Sequence, residues 1–168
     1  MIIHCTKKLA QKVAGVSAVA LREAHPLQTW HGHLYRVDRR QCVLFCHDET
    51  RFVLFLPGVR KEHLADLGTG FRHLFAGTLA AFGCSEARVG RALLALGPAR
   101  FDAATDRSVL GSMRIAFDHE ILTLVERAPH VLDLDPVAVS CRASRRPTWI
   151  RRRSIWPDKR MLELVATL

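Results

Sequence analysis

Apolar and polar positions along this chain follow two rhythms. From Trp30 to Leu56 the pattern has period two and passes into continuous β-branched and aromatic runs, broken by the polar turns "DRRQ" and "DETR". That pattern predicts an antiparallel meander of three strands. With each four-residue turn closing its hairpin symmetrically, Val37 faces Cys42, Tyr35 faces Leu44 and His33 faces Cys46, while His47 faces Phe52 and Cys46 faces Val53. The middle strand then carries Cys42, Leu44 and Cys46 on one face and Val43, Phe45 and His47 on the other. Neither face is polar, so both are expected to be covered.

Elsewhere the spacing is helical. "MIIHC" reads as a short strand, and Thr6 can cap a helix over "KKLAQKVA" that stops at Gly15; residues 15–29 read as an irregular connection. Leu64, Leu67, Phe71, Leu74, Phe75, Leu79 and Phe82 share one helical face, with Gly68 and Gly70 suggesting two helices. Ser85 caps a helix that Gly97 and Pro98 break. Asp106 caps a long one with the stripe Leu110, Met113, Phe117, Ile121 and Leu124, ending at Ala128 and Pro129. Asp135 and Pro136 start a short helix that loses its pattern by Ser144, "TWIRRRSIW" fits a strand or a loop, and Pro157 with Asp158 opens a final helix. The expected fold is one α+β domain over residues 1–168: an antiparallel sheet, made of the meander and a short amino-terminal strand, packed with several helices.

Composition adds a compartment and an asymmetry. A chain of 168 residues is long enough to bury a core without staples. No apolar run is long enough to cross a bilayer, and the first residues lack the order of a secretion signal. The five cysteines are odd in number and lack CxxC spacing, which fits reduced thiols and a cytoplasmic location. Up to Ser140 there are 17 Lys or Arg against 14 Asp or Glu, and from Cys141 onward 8 against 2. Most of the net charge of +9 therefore lies in a basic segment, residues 141–160, on a nearly neutral body.

Four stretches, "MIIHCTKKL", "WHGHLYRVDRRQCVLFCHDETRFVLFLPG", "DRSVLGSM" and "WPDKRMLELV", resemble an uncharacterised bacterial family, one of the domains of unknown function. The resemblance spans nearly the whole chain. It implies a single compact domain and brings no activity, cofactor or catalytic residue with it.

Three groups of residues carry candidate chemistry. His31, His33, Cys42 and Cys46 lie on one predicted sheet face with ligand or nucleophile chemistry, but their spacing matches no zinc module. Adjacent strand residues such as Cys46 and His47 face opposite ways, so a buried core is the expected role, with no metal and no cofactor. Arg107, Ser108 and Ser112 stand at a helix start, where unpaired N–H groups and the helix dipole favour an anion; Asp106 capping accounts for much of the same pattern. A small hydrolase or transferase acting on a phosphorylated or acidic substrate would use that start, with His31, His33 or His47 as acid or base. Arg145, Arg146, Trp149, Arg151, Arg152, Arg153 and Trp156 interleave phosphate-binding guanidiniums with stacking platforms, which points to nucleic acid, single strands or RNA above all. The competing reading is a solvated basic edge whose tryptophans pack on the core. A protein-interaction module is the remaining class, and its sign would be an uncovered apolar patch.

Overall fold

The computed structural model describes residues 1–23, 25–150 and 153–168. The chain begins with β1 (Ile2–Cys5), α1 (Lys7–Ala10) and β2 (Val16–Ser17), followed by β3 (Thr29–Val37), β4 (Arg40–His47) and β5 (Val53–Val59). Next come α2 (Lys61–Ala65), α3 (Leu67–Ala81), α4 (Glu86–Leu96), β6 (Arg100–Asp102) and α5 (Arg107–Ala116). A wide π-type turn over Phe117–Ile121 leads into α6 (Leu122–Val125), then α7 (Pro136–Ser144), β7 (Thr148–Ile150), β8 (Arg153–Ile155) and α8 (Pro157–Ala166). None of the described helices is long and apolar enough to cross a membrane.

The α+β class stands, and the sheet is mixed. Strands β3, β4 and β5 form the antiparallel meander, whereas β1 pairs in parallel with both β3 and β6, and β2 in parallel with β6. The six strands lie in the order β2-β6-β1-β3-β4-β5. The amino-terminal strand thus becomes the parallel hub of a half-sheet. Its partner β6 is a three-residue stretch, "RFD", too short for an alternation to show.

The meander pairs two residues away from the symmetric four-residue expectation at its first turn. Val37 is paired with Arg40, so only Asp38 and Arg39 make the turn, both with positive φ, 47° and 62°. That is the left-handed pair of a two-residue hairpin, whose twist matches the strands it joins. Tyr35 accordingly faces Cys42, His33 faces Leu44, and His31 faces Cys46. The displacement is even, so every side chain keeps the face expected of it. At the second turn the expectation holds: Cys46 is paired with Val53, and the His47 N–H donates to the Phe52 carbonyl at 2.8 Å.

Both sheet faces are covered. On one, Ile3, Trp30, Val43, Phe45 and Leu54 pack against Phe71, Leu74, Phe75 and Leu79 of α3, with α1, α4 and α8 completing the layer. On the other, Cys42, Leu44, Cys46, Val53 and Phe55 meet Val109 and Met113 of α5, Phe117, Ile121, and Val139 and Ala143 of α7.

The outer edge of β5 is closed by α7. The Ser144 hydroxyl accepts from the Val53 N–H and donates to the Val53 carbonyl, each at 3.1 Å, and the Ser140 hydroxyl accepts from the Phe55 N–H at 3.0 Å. Four residues apart, the two serines share one helix face and meet alternate residues of the strand, whose outward groups would otherwise be unpaired. Both are fully buried. The loss of apolar periodicity at Ser144 is therefore where a helix meets a strand edge.

Two expectations follow. Ser144→Ala leaves a buried N–H and C=O without partners and should lower unfolding stability by about 1–3 kcal/mol in a urea titration. Arg39→Gly relieves a left-handed arginine at an exposed turn and should raise stability by about 1 kcal/mol in the same assay, with no loss of sheet signal by circular dichroism.

Candidate functional site

The residues that sequence patterning singles out fall into three separate places. His31 is almost fully buried, and both ring nitrogens are engaged: Nδ1–H donates to Asp48 Oδ1 at 2.7 Å, and Nε2 accepts from the Asp106 N–H at 2.7 Å. His31 therefore does reach the start of α5, as a pin holding it to the sheet. His47 lies on the opposite sheet face, where Nε2–H donates to the Pro26 carbonyl at 2.8 Å and Nδ1 accepts from the Thr50 hydroxyl at 2.9 Å. Burial pushes its pKa down to about 4, so it is neutral at pH 7. His33 sits elsewhere, in a groove of about 320 Å³ between β3 and α5 with Thr6, Tyr35, Met113, Arg114 and Asp118. Burial, helped by the Lys8 ammonium, lowers its pKa as well. The three histidines do not converge on the helix end.

The thiols are placed for packing. Burial raises the Cys46 pKa to about 12 and moves Cys42 in the same direction, which disfavours the thiolate form of both. Among the described residues no group of three His, Cys, Asp or Glu side chains is placed to hold a metal ion.

One polar constellation escaped sequence reasoning. His4 of β1 is paired with Asp102 of β6 on one side and His31 of β3 on the other, toward the carboxyl ends of β1 and β6 and near the amino end of β3. The His4 Nδ1–H donates to Asp102 Oδ1 at 2.6 Å, and the fully buried Asp102 also accepts from the N–H groups of Leu21 at 2.7 Å and Ala104 at 3.1 Å. The partners are 98 residues apart in sequence, and nothing local to either announces the contact.

At the α5 start, Asp106 caps as expected. Its Oδ1 accepts from the N–H groups of Ser108 at 2.7 Å and Val109 at 3.1 Å, and these bonds hold its pKa below the usual carboxylate value. Arg107 and Ser108 are exposed, Ser112 is half-buried, and its hydroxyl donates to the Ser108 carbonyl at 3.2 Å. The Ser108 hydroxyl accepts from Nη2 of a residue that patterning passed over, Arg51, at 3.1 Å.

The basic segment divides in two. Arg145 and Arg146 turn toward the body: the Arg145 guanidinium lies 5.3 Å from the Phe82 ring centroid, and Arg146 donates to the Ile115 carbonyl at 3.1 Å and approaches Glu120 at 3.9 Å. Beyond them β7 and β8 pair only with each other, as an antiparallel ribbon outside the main sheet. Trp149 on this ribbon is 68% exposed, Trp156 just after it is 45% exposed, and Arg153 is exposed. Arg151 and Arg152 lie outside the described residues. A broad depression of about 750 Å³ runs beside the ribbon, lined by Arg153, Arg160, Ser154, Ile150, Ile155 and Glu49.

Residues 2–160 match the family model described as a domain of unknown function, DUF6933. The chain belongs to that family. A comparison with curated proteins found no match. For this DUF6933 domain the extent of the match agrees with the fold, since it runs from β1 into α8 and takes in the ribbon.

The neutral His47 sets an acid limit on stability. The unfolded chain takes up a proton near the ordinary value of 6.5, and the folded protein only near 4, so stability falls as pH drops through that window. One such group gives a slope of at most about 1.4 kcal/mol per pH unit. Urea titrations between pH 4 and 7 should show this slope, and His47→Gln should flatten it while His33 retains a smaller contribution of the same sign.

Proposed function

We propose that this DUF6933 domain is a non-catalytic module that binds single-stranded nucleic acid, RNA in particular, on its β7–β8 ribbon. The observation that carries the reading is the exposure of Trp149, at 68%, on a ribbon that also presents Arg153. A tryptophan that served the core would be covered, whereas one standing in solvent among arginines suits an unpaired base. The adjoining depression supplies Arg153 and Arg160 for phosphates, with Glu49 in its lining and Glu163 paired at the surface with Arg160 at 2.9 Å. Arg151 and Arg152 add to the same charge by sequence. Arg145 and Arg146, engaged with Phe82 and Glu120, act as supports of the ribbon's base in this reading.

Fluorescence anisotropy with short single-stranded RNA, single-stranded DNA and duplex, run across a salt series, tests it. The expected result is tighter binding to single strands, with affinity falling linearly against log salt. Changing Arg151, Arg152 and Arg153 together to Gln should flatten that slope by roughly 2, and Trp149→Ala should cost roughly 1–3 kcal/mol of affinity with the fold intact by circular dichroism. Binding that ignores salt, or wild-type protein that binds none of the three, would sink the proposal.

A further inference from the structure

Arg51 is a buried cation with most of its donors unused. It is 7% exposed, and among the described residues it forms no ion pair within 4 Å; only Nη2 is engaged, with the Ser108 hydroxyl, while Nε and Nη1 are buried and donate to nothing. A buried charge in that condition is costly unless something answers it. Its backbone is strained too, with φ at +58°, a conformation that glycine adopts freely and that costs a side-chain-bearing residue about 1–2 kcal/mol. The turn thus holds an arginine where geometry alone favours glycine.

The space beside Arg51 has the character of its missing partner. A small cavity of about 20 Å³ is lined by Arg51, Ser112, Arg146, Thr148 and the apolar side chains of Ile115, Ala116, Ala143 and Pro157. The described lining includes two arginines, a serine and a threonine, and no acid. The acids that bear on these arginines lie outside the lining: Glu120 is shared between Arg142 and Arg146, and Asp106, whose carboxylate attracts Arg51 from beyond ion-pair distance, gives Oδ1 to the α5 cap. The volume suits a particle of about the size of one water and is too small for a tetrahedral oxyanion. We propose that the cavity is a binding site for one monatomic anion of halide size, chloride in solution, held by Arg51, Arg146 and the hydroxyl of Thr148. Because Arg146 and Thr148 come from the carboxyl-terminal segment, and Arg51 from the β4–β5 turn, the ion clips the base of the ribbon to the body. The site stands independently of nucleic-acid binding.

The test is thermal unfolding at constant pH and ionic strength, in sodium gluconate progressively replaced by chloride or bromide, together with anomalous diffraction from crystals grown in bromide. The expected result is a saturable rise in Tm of roughly 2–4 °C, absent in Arg51→Met and weakened in Thr148→Val, and a bromide peak within hydrogen-bond distance of Arg51. Should Arg51→Met fail to fold, Thr148→Val and the wild-type crystal decide the matter. An unchanged Tm across the series, an equal rise in both variants, or a cavity holding water and no bromide would overturn the proposal.

Discussion

Two serine hydroxyls decide where the last fifth of the chain lies. The sheet is apolar on both faces, so helix layers must close over it from each side, but that demand alone leaves the β5 edge open. Ser140 and Ser144 meet the strand's outward N–H and C=O groups, and with them α7 is fixed in position and rotation against Val53 and Phe55. Everything after α7 inherits that placement: Arg145 over Phe82, Arg146 beside Glu120, and the ribbon that follows. A helix latched by hydrogen bonds rather than apolar contact alone has one register available to it. An apolar face would tolerate sliding.

Two histidines in this fold act as joints between segments of the chain. His31 joins the β4–β5 turn to the start of α5, and His47 joins the region before β3 to the same turn, each using one nitrogen as donor and the other as acceptor. Such a residue can bridge two backbone regions without bringing charge into the interior. With both nitrogens hydrogen-bonded, His31 and His47 serve the architecture, as do the buried Cys42 and Cys46 of the same stretch.

Local signals were legible and distant ones were not. The caps at Ser85, Asp106 and Asp135 and the alternation of the meander state their consequences within a few residues, and the structure bears them out. The first hairpin departed because Asp38 and Arg39 take a left-handed conformation usually filled by Asn or Gly, so "DRRQ" reads as a longer turn than it makes. The parallel joining of β1 to β3 and β6 was hidden, since a four-residue strand carries no mark of its partner's direction. The same distance conceals His4 with Asp102. Arg51 was passed over for a different reason: an arginine in "DETR" has the composition of a solvated turn, and only the closure of α5 and the carboxyl-terminal segment over it makes it interior. Conversely, the exposure of Trp149 runs against the ordinary fate of tryptophan, and no periodicity could have foretold it.

The β7–β8 ribbon owes nothing to the pairing of the main sheet, because its strands bond only to one another. Its exposed positions are free of the volume and parity constraints that govern Val43, Phe45 or Leu54. Residues there can be exchanged without disturbing the frame that carries them. The fold is in this sense a fixed mount carrying a ribbon whose exposed side chains the frame does not constrain.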